Sequence, residues 1–188
     1  MALLSPSLKG LQILLVSCEE YCKQWDICLN AKKSKLLHFG KACKNLATLT
    51  LDSKPLEWVD SWTYLGVRVC SGTKFNCSVS DKIASFYKCA NSIFRIDGRC
   101  NDLVLLQLIE AHCVSVLTYA IEVIHVSDAA TRSKLRVAYN SVFRRIFGFR
   151  QYESVTELQG FLGRFTWEQL IENRTQKFRS SENVLMHL

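Results

Sequence analysis

The spacing of apolar residues changes twice along the chain, and those changes limit the folds open to it. Leu8, Leu11, Leu15, Cys18, Cys22 and Trp25 recur every three or four residues, which is one face of a helix. From residue 35 to residue 70 the period shortens. Leu36, Leu37, His38 and Phe39 read as a strand ending at Gly40. Thr48 to Leu51, Glu57 to Val59 and Tyr64 to Cys70 read as further strands, with Asp52-Ser53-Lys54-Pro55 as a turn. After Gly72 the helical period returns and stays. The pattern predicts an α+β, mostly helical protein. A front lobe, 1–72, would carry a small antiparallel sheet with one long helix. A helical bundle would follow over 73–180, and then a frayed tail, 181–188.

Helix punctuation sharpens the picture. Ser5-Pro6 predicts the start of the first helix, with Ser as cap and Pro at the first helical position, and an end near Asn30. Ser78 is the expected cap of a helix carrying Val79, Ile83, Phe86, Ala90 and Ile93, stopped by Asp97-Gly98. Asn101 or Asp102 would cap one long apolar helix reaching about Val126. Ser127-Asp128 would cap the next, running to Gly148. Ser154-x-x-Glu157 and Thr166-x-x-Gln169 are capping-box patterns, so two shorter helices should follow.

Composition excludes several classes. In 188 residues, 48% are hydrophobic and 22% charged, which is neither a disordered tail nor a membrane protein. The apolar stretch Leu103 to Val126 contains Glu110, His112, Glu122 and His125. Charges there are costly in lipid, so a core helix is expected, with His112 as a core residue. The nine cysteines are scattered without a C-x-x-C pair, and the four histidines show no metal spacing. No metal site and no catalytic site is expected. Unpaired thiols and the lack of a signal-like run in Met1 to Gly10 point to an intracellular protein, nuclear or cytoplasmic.

The net charge of +7 is unevenly spread. Arg132, Lys134, Arg136, Arg144, Arg145 and Arg150 lie between Thr131 and Arg150, a stretch with no acid. Leu135, Ala138, Val142, Ile146 and Phe149 should gather on one helix face. Arg132, Arg136, Asn140 and Arg144 form a separate row at four-residue spacing, either a track for phosphates or a solvated face. A second basic cluster, Lys32, Lys33 and Lys35, lies on the connector after the first helix.

These segments resemble a family. Asn30-Ala31-Lys32-Lys33-Ser34-Lys35 with Leu36 to Gly40 is similar to the N-x-K-K-S-K segment of LINE-type (non-LTR) retrotransposon reverse transcriptases. Trp62-Thr63-Tyr64-Leu65-Gly66-Val67 resembles the aromatic-x-Y-L-G-V motif that follows it there. Tyr139 to Gly148 resembles a thumb-side segment, and Leu3 to Ser7 the stretch after the catalytic hairpin. The resemblance implies a palm edge joined to a helical thumb. It implies that Lys33 stands near the triphosphate of an incoming nucleotide, where a cation neutralises charge or protonates the leaving pyrophosphate. It also implies that Trp62, Tyr64, Leu65 and Gly66 form the hairpin that grips the primer end, and that Lys32, Lys35, Arg132, Arg136, Arg144 and Arg145 meet nucleic-acid backbone.

In that family the paired catalytic aspartates precede the segment matched by Ala2-Leu3-Leu4. None of Asp26, Asp52, Asp60, Asp81, Asp97, Asp102 or Asp128 falls in a matching motif. Two-metal phosphoryl transfer needs clustered carboxylates. The expectation is therefore a truncated, non-enzymatic module that binds RNA or DNA. It would need no cofactor, with Mg2+ entering only if it is joined to a catalytic part. Ala2-Leu3-Leu4 would be a strand lacking its partner, so the front lobe would be prone to self-association. The alternatives are an interaction or structural protein that kept the fold, and a retroelement relic without selected function.

Overall fold

The computed structural model describes residues 1–41, 46–95, 100–124 and 129–185. The fold is mostly helical α+β, and the chain divides into two compact units, Met1–Asn76 and Cys77–Leu188.

The first unit opens with α1, Leu8–Gln24. Its cap is Ser7, two residues later than the sequence suggests. The Ser7 Oγ accepts a hydrogen bond from the Gly10 N–H at 3.1 Å, satisfying a donor the helix leaves free. Ser5 instead bonds locally to Ser7, so Pro6 lies ahead of the helix. The helix stops at Gln24, well short of Asn30. Asp26 takes a left-handed conformation (φ 53°), and the Ile27 N–H returns to the Cys22 carbonyl at 2.8 Å. That is a Schellman closure built on an aspartate where glycine is usual. Leu15 and Cys22 are buried, but Trp25, at the end of the expected stripe, is 61% exposed. Trp25 follows the last residue of α1, where the chain leaves the helix for the turn at Asp26.

Five leucines form the core of this unit: Leu15 of α1 with Leu36, Leu49, Leu51 and Leu56. Leu3 packs against them, and Ala2-Leu3-Leu4 forms no strand. Among the described residues the β-structure is three short pieces instead of one sheet. β1 (Lys35–Leu36) pairs in parallel with β4 (Glu57–Trp58). β2 (Thr50–Leu51) pairs antiparallel with β3 (Lys54–Pro55). Asp52 and Ser53 turn between them with φ of 51° and 59°. The expected strand Tyr64 to Cys70 is broken by a hairpin. β5 (Ser61–Tyr64) and β6 (Val67–Cys70) are joined by Leu65 and Gly66 at φ of 47° and 74°. Two left-handed residues make the primed turn that suits strand twist. β7 (Asn76–Ser78) follows at the boundary of the two units. A bridge from Phe39 to Gly72 ties the base of the hairpin back to the segment after β1.

The second unit is helical. α2 runs Ser80–Phe94 and buries Phe86, Ala90 and Phe94. Its cap is Val79, because Ser78 belongs to β7. The expected stop Asp97-Gly98 and the expected cap Ser127-Asp128 lie outside the described residues. Asn101 caps α3 (Asp102–His112), its Oδ1 accepting from the Val104 N–H at 2.9 Å.

The single long helix expected to Val126 is broken twice. Cys113 separates α3 from α4 (Val114–Thr118), and Tyr119-Ala120 separates α4 from α5 (Ile121–Ile124). Ala120 has φ 50°. The carbonyls released at this second break are met by cations from other helices. Lys82 of α2 bonds the Tyr119 carbonyl, and Arg174 reaches the Thr118 carbonyl at 3.3 Å. His112, expected in the core, is exposed.

α6 (Ala129–Phe147) buries Leu135, Ala138, Tyr139, Val142 and Phe143, and closes at Gly148 with φ 70°. α7 (Thr156–Phe161) begins at Val155 without a side-chain cap, because Ser154 makes only a local turn to Thr156. The second capping box forms as expected. Thr166 N–H donates to Gln169 Oε1 at 2.9 Å and Gln169 N–H to Thr166 Oγ1 at 3.3 Å. α8 (Trp167–Leu185) then continues past Arg179, where fraying is expected from sequence. Among the described residues, no helix is long and apolar enough to cross a membrane.

Candidate nucleic-acid interface

The residue types of the Asn30 to Lys35 connector follow from its backbone. Asn30 caps a 3-10 turn, Ala31–Lys33, its Oδ1 accepting from the Lys33 N–H at 3.1 Å. Ser34 Oγ donates to the Asn30 carbonyl at 3.0 Å. With the turn held at both ends, Lys32 and Lys33 are exposed.

Lys35 has a different task. Its ammonium pairs with the Glu57 carboxylate and lies 5.6 Å from the centre of the Trp62 ring. Its side chain is only 16% exposed. It locks the connector to β4 and to the hairpin instead of facing solvent for a phosphate.

Trp62 and Tyr64 alternate along β5, so they share one face of the hairpin, opposite Val69 and Val67 of β6. Trp62 and Tyr64 keep 37% and 39% of their surface in solvent. Leu65 at the tip is 73% exposed. Below the hairpin, Phe39 and Phe75 form a tilted ring pair 5.9 Å apart, both partly exposed. Phe75 was not singled out from sequence, since nothing in its neighbours marks it. The structure therefore brings Lys35, Trp62, Tyr64, Leu65 and Gly66 together, with Lys32 and Lys33 on the adjoining turn.

The cationic row of α6 is divided. Arg144 Nε donates to the Glu153 carbonyl at 2.9 Å, and the Phe149 N–H returns to the Arg144 carbonyl. This arginine fixes the turn after α6. Arg145 Nη1 donates to Asn91 Oδ1 at 2.6 Å, and its guanidinium stacks 4.0 Å from the Phe94 ring centre. It clamps α6 to α2. Asn140 accepts from Gln159 at 3.2 Å. Phe149, expected on the buried face, is 37% exposed because the chain has already left the helix at Gly148.

Arg132 and Arg136 instead line a groove of about 690 Å³ between α6 and α8, joined there by Arg179, which sequence spacing did not connect to them. The groove is not free of acid. α8 contributes Glu168, 3.6 Å from Arg136, and Glu172. Both partners of the Arg136–Glu168 contact are more than half exposed, so water screens it and its contribution is small.

Comparison with protein-family models, curated proteins and solved structures returns no match. The site therefore has to be read from its own chemistry. Among the described residues, no three His, Cys, Asp or Glu side chains come close enough together to hold a metal ion. The half-buried pair Glu110 and Arg164, 3.4 Å apart, spans α3 and the α7–α8 turn. Burial raises the Glu110 pKa, and Arg164 partly offsets that. Tyr139 beside them donates its hydroxyl to the Phe165 carbonyl at 3.0 Å, and burial raises its pKa too. These groups stitch helices together.

Proposed function

We propose that this chain is a reverse-transcriptase-like module that binds single-stranded or hybrid nucleic acid without turning it over, inside the cell and without a cofactor. The observation that carries this reading is the pairing of an exposed aromatic face with a lysine turn in one unit. Trp62 and Tyr64 offer flat faces on which bases stack. Lys32 and Lys33 offer two ammonium groups for phosphates. Lys35 supports the reading by holding the two features together through Glu57 and Trp62. Arg132 and Arg136 are weaker contributors, because Glu168 and Glu172 share their groove.

Fluorescence anisotropy of the full chain with labelled single strands and RNA–DNA hybrid, over a range of salt, tests the proposal. Replacing Lys32 and Lys33 with Gln should lower the salt slope by roughly 0.7–0.9 per lysine, for all sequences alike. Trp62→Ala should weaken single-strand binding by about 1–3 kcal/mol if a base stacks there. Parent-like binding by both variants would reject the site. Absence of salt-sensitive binding would favour the alternative of a protein-interaction role, to which the exposed Leu14 and Tyr21 of α1 and Trp25 at its end are suited.

A further inference from the structure

Eight cysteines are described, and two of them, Cys89 and Cys113, are in sulfur–sulfur contact with each other. Cys89 lies on α2, and Cys113 is the residue that separates α3 from α4. Their Sγ atoms are 3.0 Å apart although the residues are 24 positions apart in sequence. A disulfide needs about 2.0 Å, so a movement of roughly 1 Å would bring them to bonding distance. Both residues belong to the second unit.

The two thiols differ. Cys113 is fully buried, whereas Cys89 is half-exposed. The Cys113 S–H donates to the Cys89 sulfur, and Cys89 also lies 3.8 Å from the His112 carbonyl. Burial, with the neighbouring thiol, pushes the Cys113 pKa up to about 12, so this residue holds its proton. Of the two, Cys89 is the residue with surface in solvent, and so the one a small oxidant meets first.

We propose that Cys89 and Cys113 are a redox-modification site, in which a hydroperoxide oxidises Cys89 and Cys113 closes a reversible disulfide. The Cys89 sulfur attacks the peroxide, breaking the O–O bond and giving a sulfenic acid and one water. The Cys113 sulfur then attacks the sulfenic sulfur. The S–S bond forms, the S–O bond breaks, and the departing hydroxide takes up the Cys113 proton as a second water. Two thiols lose two electrons, and one hydrogen peroxide becomes two waters. The bond would fasten α2 to the first break in the expected long helix. A thiol such as dithiothreitol would reopen it by exchange.

The test is peptide mapping by mass spectrometry on the full chain, prepared reduced and treated with stoichiometric hydrogen peroxide before alkylation. The expected result is a linked Cys89–Cys113 peptide within one chain, lost on reduction. In Cys113→Ser, dimedone should trap Cys89 as the sulfenic acid. In Cys89→Ser, Cys113 should stay unmodified at the same peroxide dose. The linked parent should melt roughly 5–10 °C above its reduced form. Separately alkylated Cys89 and Cys113 in the parent, while the exposed Cys28 is already oxidised, would overturn the proposal. So would peroxide modification of Cys113 in Cys89→Ser. If a serine variant fails to fold, the parent map decides alone.

Discussion

Replacing Ala120 with Gly distinguishes the broken helix from the continuous one that the sequence pattern suggests, because the two change stability in opposite directions. In the structure Ala120 has φ 50° between α4 and α5. A left-handed alanine costs about 1–2 kcal/mol, because its Cβ crowds the following carbonyl. Glycine removes that cost but gives back about 0.5–1 kcal/mol through the greater freedom of the unfolded chain. The expected net effect is stabilisation by roughly 0.5 kcal/mol, or up to about 1. In a continuous helix over the same residues, the substitution would put glycine mid-helix and destabilise by about 1 kcal/mol. The two outcomes differ by about 1.5 kcal/mol, well within reach of urea denaturation followed by far-ultraviolet circular dichroism. A lowered urea midpoint with an unchanged slope would refute the left-handed assignment at Ala120. The roles given to Lys82 and Arg174 at the adjacent carbonyls would fall with it.

Two further outcomes follow from the second unit. Arg145→Met keeps the aliphatic stem but loses the bond to Asn91 and the stacking on Phe94. It should cost about 1–2 kcal/mol in urea unfolding while leaving the salt slope of nucleic-acid binding unchanged. Cys113, with its thiol pushed up from 9.0 to about 12, keeps its proton in the folded chain while the unfolded chain loses it. Its contribution to stability is therefore complete below about pH 9 and is lost as pH rises towards about 12. Urea midpoints measured in reducing buffer between about pH 8 and 10.5 should fall less steeply for Cys113→Ala than for the parent.

Much of the fold was legible because amphipathic period survives tertiary context. The α1 stripe, the buried face of α6 and the Thr166–Gln169 box all follow from local spacing. What escaped were features decided by partners distant in sequence. The break at Tyr119-Ala120 is supported by Lys82 and Arg174, which lie 37 and 56 residues from the carbonyls they meet. Counting acids along α6 could not reveal Glu168 and Glu172 on α8. Four-residue spacing likewise grouped Arg144 with Arg132 and Arg136, although the chain turning back at Glu153 claims its guanidinium. At Leu65-Gly66 the signal was present but half hidden: glycine supplies one left-handed position, while leucine is a poor marker for the other. The same holds for Asp26, whose left-handed turn ends α1 without a glycine to announce it.

Gln12 on α1 meets Thr50 through both atoms of its amide, Oε1 taking the backbone N–H at 3.0 Å and Nε2 giving to the carbonyl at 3.1 Å. A side-chain amide carries the same donor and acceptor as a peptide bond, so here a helix stands in for one residue of a neighbouring strand. Glu19 adds to this just past the strand, accepting from the N–H of Asp52 in the turn at 2.5 Å. The outer rim of β2, which would otherwise be a template for an extended segment of another molecule, is already occupied from within. Strand addition at this rim would have to displace the Gln12 amide first, and shortening Gln12 to Ala would leave the Thr50 N–H and carbonyl uncovered.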